Sequence, residues 1–163
     1  MANQLPTTQA SPLPGINITD SDALLVDATR VQIGATSGQI FTYNIGVVAP
    51  GVDIKRGWMT AQLTIGGRTY TAVNTHLESG SAPGLDQLRA AQAQEIAIGL
   101  GTASPVIMTG DFNDVPGSLM HQVLSGAGFT DVWAALRPHA EGLTCCHLAD
   151  LSNEQATFDQ RID

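Results

Sequence analysis

Pro105-Val106-Ile107-Met108-Thr109-Gly110-Asp111-Phe112-Asn113-Asp114 is the stretch around which the rest of the chain is organised. A short apolar run after a proline, closed by a glycine, reads as a buried strand. Gly110 allows a sharp change of direction at its end. Asp111, Asn113 and Asp114 are then delivered together at the carboxyl edge of a sheet, where open α/β sheets place their ligands. Carboxylate and carboxamide oxygens this close suit a divalent cation, a phosphate or an activated water. The plain alternative is a turn, for which Asp, Asn and Gly are common.

Working outward, residues 83–100 predict a helix. Pro83 suits its first turn and Asp86 its dipole. Leu85, Leu88, Gln92, Ile96 and Leu100 follow helical spacing, and Gly101 ends it. Before it, Trp58–Ile65 and Arg68–Thr75 flank Gly66-Gly67, a β-hairpin with a two-residue turn. Residues 68–75, 83–100 and 105–109 thus form a strand–helix–strand unit. Upstream, Ala23-Leu24-Leu25-Val26, Val31-Gln32-Ile33 and Ile40–Ile45 read as strands, and 46–56 as a loop. Residues 1–19 are expected to be a loop or frayed segment, and residues 20–163 one domain. Downstream, Pro116 to Leu124 and Val132 to Leu136 read as short helices, and 142–163 as irregular with short strands.

Composition bounds the partners. The chain has 163 residues, 43% hydrophobic and 13% charged, which supports one globular domain. Its net charge is −8, with Lys55 the one lysine. Such a surface repels polyanions at long range, so a nucleic-acid substrate needs metal ions to offset the charge. No run is long enough to span a bilayer, so stable membrane insertion is not expected. No secretory leader is visible after Met1, and localisation, extracytoplasmic or cytoplasmic, stays open.

In the strand–helix–strand unit both parallel strands end on one edge. Asn74-Thr75-His76-Leu77-Glu78 closes the first, so His76 and Glu78 are expected to meet Asp111 and Asn113. An imidazole beside an acid–amide cluster suits phosphoryl chemistry. His76 also has a reading as a satisfied strand-end histidine. Glu78 either pairs with Arg89 across the loop or belongs to the site.

Asn74–Glu78, Arg89-Ala90-Ala91-Gln92, Gly110–Asp114 and Arg161-Ile162-Asp163 resemble, in that order, the endonuclease/exonuclease/phosphatase superfamily. DNase I-like nucleases, apurinic endonucleases, inositol polyphosphate phosphatases and neutral sphingomyelinases belong to it. Ser21–Val26, Arg56-Gly57-Trp58, Gly128–Trp133, Leu143–Cys146 and Asp150-Leu151-Ser152-Asn153 further resemble a bacterial branch. The resemblance implies an α/β (α+β) fold, a four-layer α/β/β/α sandwich of DNase I-like type, incomplete here at both ends. It implies hydrolysis of a phosphate ester with Mg²⁺ or Mn²⁺, the substrate being a nucleic acid, a phosphoinositide or a phospholipid head group. Asp111 matches the residue that orients water, Asn113 the one that holds phosphate and metal, and His76 the one that stabilises charge on phosphate. Asp163 matches the aspartate that supports a further histidine.

That histidine lies in a Ser-Asp-His segment, and the principal metal ligand in an early Gln-Glu motif; neither has a counterpart in these residues. The chain is therefore expected to be a middle-to-late piece of the domain, unstable, oligomeric or aggregation-prone, and weak in activity. A non-catalytic module on the same scaffold is the alternative, and an unrelated α/β domain with turn-type Asp and Asn a third. His121, His139 and His147 are expected on the surface. Cys145-Cys146-His147 lacks the four spaced ligands of a closed zinc site, so a buried apolar pair is expected, with no disulfide framework.

Overall fold

The computed structural model describes residues 2–13, 16–103, 105–148, 152 and 158–163. Strands β1 (Ala2–Leu13), β2 (Ile16–Leu25), β3 (Gln32–Ile40), β4 (Gly46–Ala49), β5 (Val52–Ile54), β6 (Gly57–Ile65) and β7 (Arg68–His76) come first. Helix α1 (Leu85–Leu100), strand β8 (Val106–Asp111) and helices α2 (Leu119–Gly126) and α3 (Val132–Leu136) follow. The strands form two four-stranded sheets, ordered β2-β1-β5-β4 and β3-β6-β7-β8.

The hairpin, the helix and the strand expected between residues 58 and 111 are all present. Gly66 and Gly67 have φ of +56° and +80°, so both turn positions need the left-handed region that glycine enters at little cost. β7 and β8 run parallel, from Thr71↔Val106 to His76↔Asp111, and α1 connects them. The other pairs of this sheet are antiparallel.

One face of this sheet packs on the helices. Trp58 and Val73 join Ala93 and Ile96 of α1 and Met120 of α2 in a buried cluster with Phe41 and Leu77. Fully burying Val73, Leu77 or Ile96 stabilises the fold by about 2 kcal/mol each. Gly99 is where helix and sheet come closest: a Cβ there would stand 2.7 Å from the Trp58 ring. On the other face Met59, Ala61 and Ala72 are buried, and β1 and β2 lie against β3, β6 and β7. The architecture is thus sheet on sheet with helices outside the second sheet, the expected α+β arrangement in part.

Four local expectations are corrected. Residues 2–13 and 16–19 are not a loop: they lie in β1 and β2, which pair antiparallel from Ala2↔Leu25 to Leu13↔Ile16, and β2 runs on into the strand expected from Ala23. A hairpin satisfies backbone groups by register and needs no apolar periodicity. Pro6, which lacks an N–H, sits beside a register shift, where a strand tolerates proline. The strand expected over 40–45 ends at Ile40, because side chains capture the backbone beyond it. Glu95 accepts from the N–H groups of Thr42 and Tyr43 at 2.9 and 3.0 Å. The strand expected over 31–33 continues without a break through residues 34–39 as β3, where a Cβ on Gly34 would crowd Gln62 at 3.2 Å. Residues 46–54 form the β4–β5 hairpin.

α1 begins at Leu85, two residues after Pro83. Its buried stripe is Arg89, Gln92, Ala93 and Ile96, half of it polar. α2 is capped by Ser118, whose hydroxyl accepts from His121 N–H at 3.2 Å, and α3 by Asp131. In the tail, Cys145 bridges to Gln160. Cys145 is buried but Cys146 is exposed, so the expected buried pair is not found. The two sulfurs are nonetheless in contact. Of Asp150-Leu151-Ser152-Asn153, all but Ser152 lie outside the described residues. Among the described residues no helix is long and apolar enough to cross a membrane.

Candidate active site

The parallel β7–β8 pair ends with His76 opposite Asp111, so both side chains leave the same face of the sheet. The imidazole Nε2 lies 3.5 Å from Asp111 Oδ2. Close approach of the strands here depends on Gly110, at φ +149°, because any Cβ would overlap the Thr75 carbonyl. Beyond the strand end, Asp111 Oδ1 accepts from Asn113 N–H at 2.8 Å, a turn closed by the aspartate itself. Asn113 takes φ +50°, and its Nδ2 donates to the Leu77 carbonyl at 3.0 Å. Leu77 N–H in turn donates to the Asp111 carbonyl at 2.9 Å. His76, Asp111 and Asn113 are therefore brought together as the sequence predicts.

Asp163 arrives differently. Phe112 N–H donates to the Ile162 carbonyl at 2.7 Å, which sets the last residues beside residues 111–113. Arg161 grips Asp131 with two bonds, at 3.2 and 2.6 Å, and His121 Nε2 stands 3.5 Å from the same carboxylate. The Arg161 hydrogen bonds hold the Asp131 carboxyl below its ordinary range. The Asp163 side chain is exposed and makes no ion pair among the described residues, so the structure places its backbone near the site without joining its carboxylate to His76.

Three groups went unassigned in the sequence: Asp20, Asp22 and Arg56. Asp22 comes from β2, in the opposite sheet, and its Oδ1 lies 3.8 Å from His76 Nδ1. Arg56, just before β6, places Nη1 3.2 Å from His76 Nδ1 and 3.3 Å from Asp20 Oδ2. Both Asp22 and Arg56 are at most 9% exposed. Burial chiefly, with the charges of Asp20 and Asp111, pushes the Asp22 carboxyl up, against the pull of His76 and Arg56. Two carboxylates at alternate positions of one strand were the available signal, since such residues share a face.

Neither expected role of Glu78 holds in simple form. Its carboxylate faces Arg56 Nε at 3.7 Å, whereas Arg89 donates to the Glu78 and Gly80 carbonyls and to Asp114. Gln92 accepts from Glu78 N–H at 2.9 Å and donates to the Tyr43 carbonyl at 3.0 Å, so α1 holds two loops that border the site. His139 and His147 are exposed, His147 edge-on to Phe158. His121 is partly exposed and bound into the Asp131 cluster.

The donor set fits a hard cation. Asp22 Oδ2 is buried without a hydrogen-bond partner and stands in a cluster with an excess of carboxylate. Among the described residues no three His, Cys, Asp or Glu side chains already form a metal-holding group. Mg²⁺ commonly takes one or two carboxylates and completes its shell with water and substrate phosphate, so two are sufficient.

No family model and no curated protein matches the chain. Solved structures do match. The human Nocturnin catalytic domain with a bound sulfate anion is 22% identical, with TM-score 0.56, covering 75% of this chain and 46% of its own. A functionally unknown protein from Enterococcus faecalis is 17% identical, with TM-score 0.58, covering 77% and 49%. D. rerio TDP2, complexed with a single-strand DNA product, is 19% identical, with TM-score 0.51, covering 86% and 50%. The chain spans about half the length of each of these structures. The chain has the DNase I-like fold that these structures share, matched over about half of their length.

Proposed function

We propose that the chain carries the phosphate-facing part of a divalent-cation-dependent hydrolase of phosphate esters. The observation that carries this reading is the convergence of His76, Asp111 and Asn113 from two strand ends, with Asp22 and Arg56 closing the far side. Asp111 uses Oδ1 on Asn113 N–H and keeps Oδ2 beside His76 Nε2, where a carboxylate oxygen orients a water for attack on phosphorus. Asn113 uses one Nδ2 proton on Leu77 and retains the second for a phosphate oxygen. His76 Nε2 stands beside the same position. Asp111 and Asn113, with Asp22, are the residues to hold Mg²⁺ or Mn²⁺, and such an ion supplies charge neutralisation on the phosphate. Asp163 remains proposed as a support of the site from the 161–163 segment.

The sulfate on Nocturnin and the DNA product on TDP2 support a phosphate-ester substrate on this scaffold. Nucleic acid, phosphoinositide and phospholipid head group all contain that group, and the −8 charge favours the shorter anions. The test is a hydrolysis screen with Mg²⁺ and Mn²⁺ against a nitrophenyl phosphodiester, single-stranded DNA, an inositol phosphate and sphingomyelin. Asp111→Ala should lower any turnover by about a hundredfold or more. Turnover that survives Asp111→Ala removes the proposed site.

A further inference from the structure

Arg56 stands against the Nδ1 side of the His76 ring. Its guanidinium is buried and held on several sides. Nη1 reaches Asp20 at 3.3 Å, Nη2 reaches Ser79 Oγ at 3.5 Å, and Nε faces Glu78 at 3.7 Å. It is not able to swing away from the imidazole without giving up these partners. Nη1 lies 3.2 Å from His76 Nδ1, within hydrogen-bond distance.

A guanidinium has donors only and stays protonated in proteins. An N–H of Arg56 aimed at Nδ1 must therefore meet a lone pair. From this geometry we infer that Arg56 is a positioning residue that fixes the neutral His76 ring with its proton on Nε2. The competing arrangement puts the proton on Nδ1 and gives it to Asp22 Oδ1. That oxygen is 3.8 Å away, beyond a hydrogen bond, while the guanidinium is at 3.2 Å. It would also set two N–H groups against each other.

The consequence falls on the opposite side of the ring. Nε2–H points toward Asp111 Oδ2 across 3.5 Å, too long for a strong bond in this state. That proton is available to an oxygen entering between them. His76 then serves as a donor to a phosphate oxygen, and accepting a proton from water falls to Asp111. The inference rests on the hydrolase reading only for this last role; the tautomer itself stands on geometry.

The test is a long-range proton–nitrogen NMR spectrum of the full chain, with histidine labelled in the ring, without added metal, at a pH where the ring is neutral. Only four histidines are present, and His76→Asn identifies the signal. The expected pattern is Nε2–H. Arg56→Met should move the ratio about tenfold or more toward Nδ1–H, as Asp22 takes the proton. Arg56→Lys keeps a donor and should restore the wild-type pattern. Asp22→Asn should leave Nε2–H in place. If Arg56→Met does not fold because Glu78 loses its partner, the wild-type, Arg56→Lys and Asp22→Asn spectra decide. Nδ1–H in the wild type, or a ratio indifferent to Arg56→Met, overturns the inference. A chain that hydrolyses nothing yet shows this tautomer loses the proposed function alone. A hydrolase with Nδ1–H loses this inference alone.

Discussion

The side-chain amide of Asn113 donates to the carbonyl of Leu77 at 3.0 Å, joining the segment after β8 to the segment after β7. Asn113 does this from φ +50°, a conformation that costs most residues about 1 kcal/mol or more. Asn113→Ala should therefore destabilise by about 2 kcal/mol, the sum of a lost bond and an unrelieved backbone. Asn113→Gly loses the bond but not the conformation, and should cost about 1 kcal/mol less. Urea midpoints separate the two. Equal losses would mean that the backbone contributes nothing.

Gly110→Ala tests the closest approach in the site. The added methyl meets the Thr75 backbone, which has no rotamer to change, so β7 and β8 must part. A loss of about 3 kcal/mol or more is expected, seen as a lower thermal midpoint or no soluble protein. A variant as stable as wild type would show that the strands are not held this close in solution.

Acid should loosen the 161–163 segment through Asp131. Arg161 lowers its folded pKa from the ordinary 3.8, so near and below that value the unfolded chain binds more protons than the folded one. Its contribution is present above 3.8 and is lost as pH falls toward the lower folded value. Wild type should lose stability between about pH 5 and pH 3, and Asp131→Asn should lose less over the same range. Parallel curves for the two proteins count against the Arg161–Asp131 pair as its source.

A divalent cation should raise the unfolding midpoint of the wild type. At a free concentration a hundred times its dissociation constant, the gain is about 2.7 kcal/mol. Asp111→Asn removes a proposed ligand and should abolish most of it. A Mg²⁺-dependent rise that is the same in both proteins places the ion elsewhere.

The strand–helix–strand unit was legible because each piece carries a local signal. Gly66-Gly67 marks a turn, Leu85 to Leu100 keeps helical spacing, and Val106 to Met108 is a short apolar run. Parallel strands joined by that helix then bring His76 to Asp111. What stayed hidden depends on partners distant in sequence. β1 is polar and is a strand through its pairing with β2 and β5. Residues 41–45 look β-rich, yet Glu95 and Asn44 take their backbone groups. Asp22 joins the site only when the two sheets are stacked, and Arg56 reaches it from just before β6, beside β7; no spacing within one strand reveals either.

The grip of α1 on its surroundings has a practical side. Gln92 and Glu95 fix residues 42, 43 and 78 through main-chain atoms alone. The helix therefore works as a jig that is indifferent to what those loops display. The exposed side chains of Thr42 and Tyr43 can be exchanged while the scaffold beneath keeps its shape, whereas Phe41 in the core and Asn44 beneath Arg56 cannot.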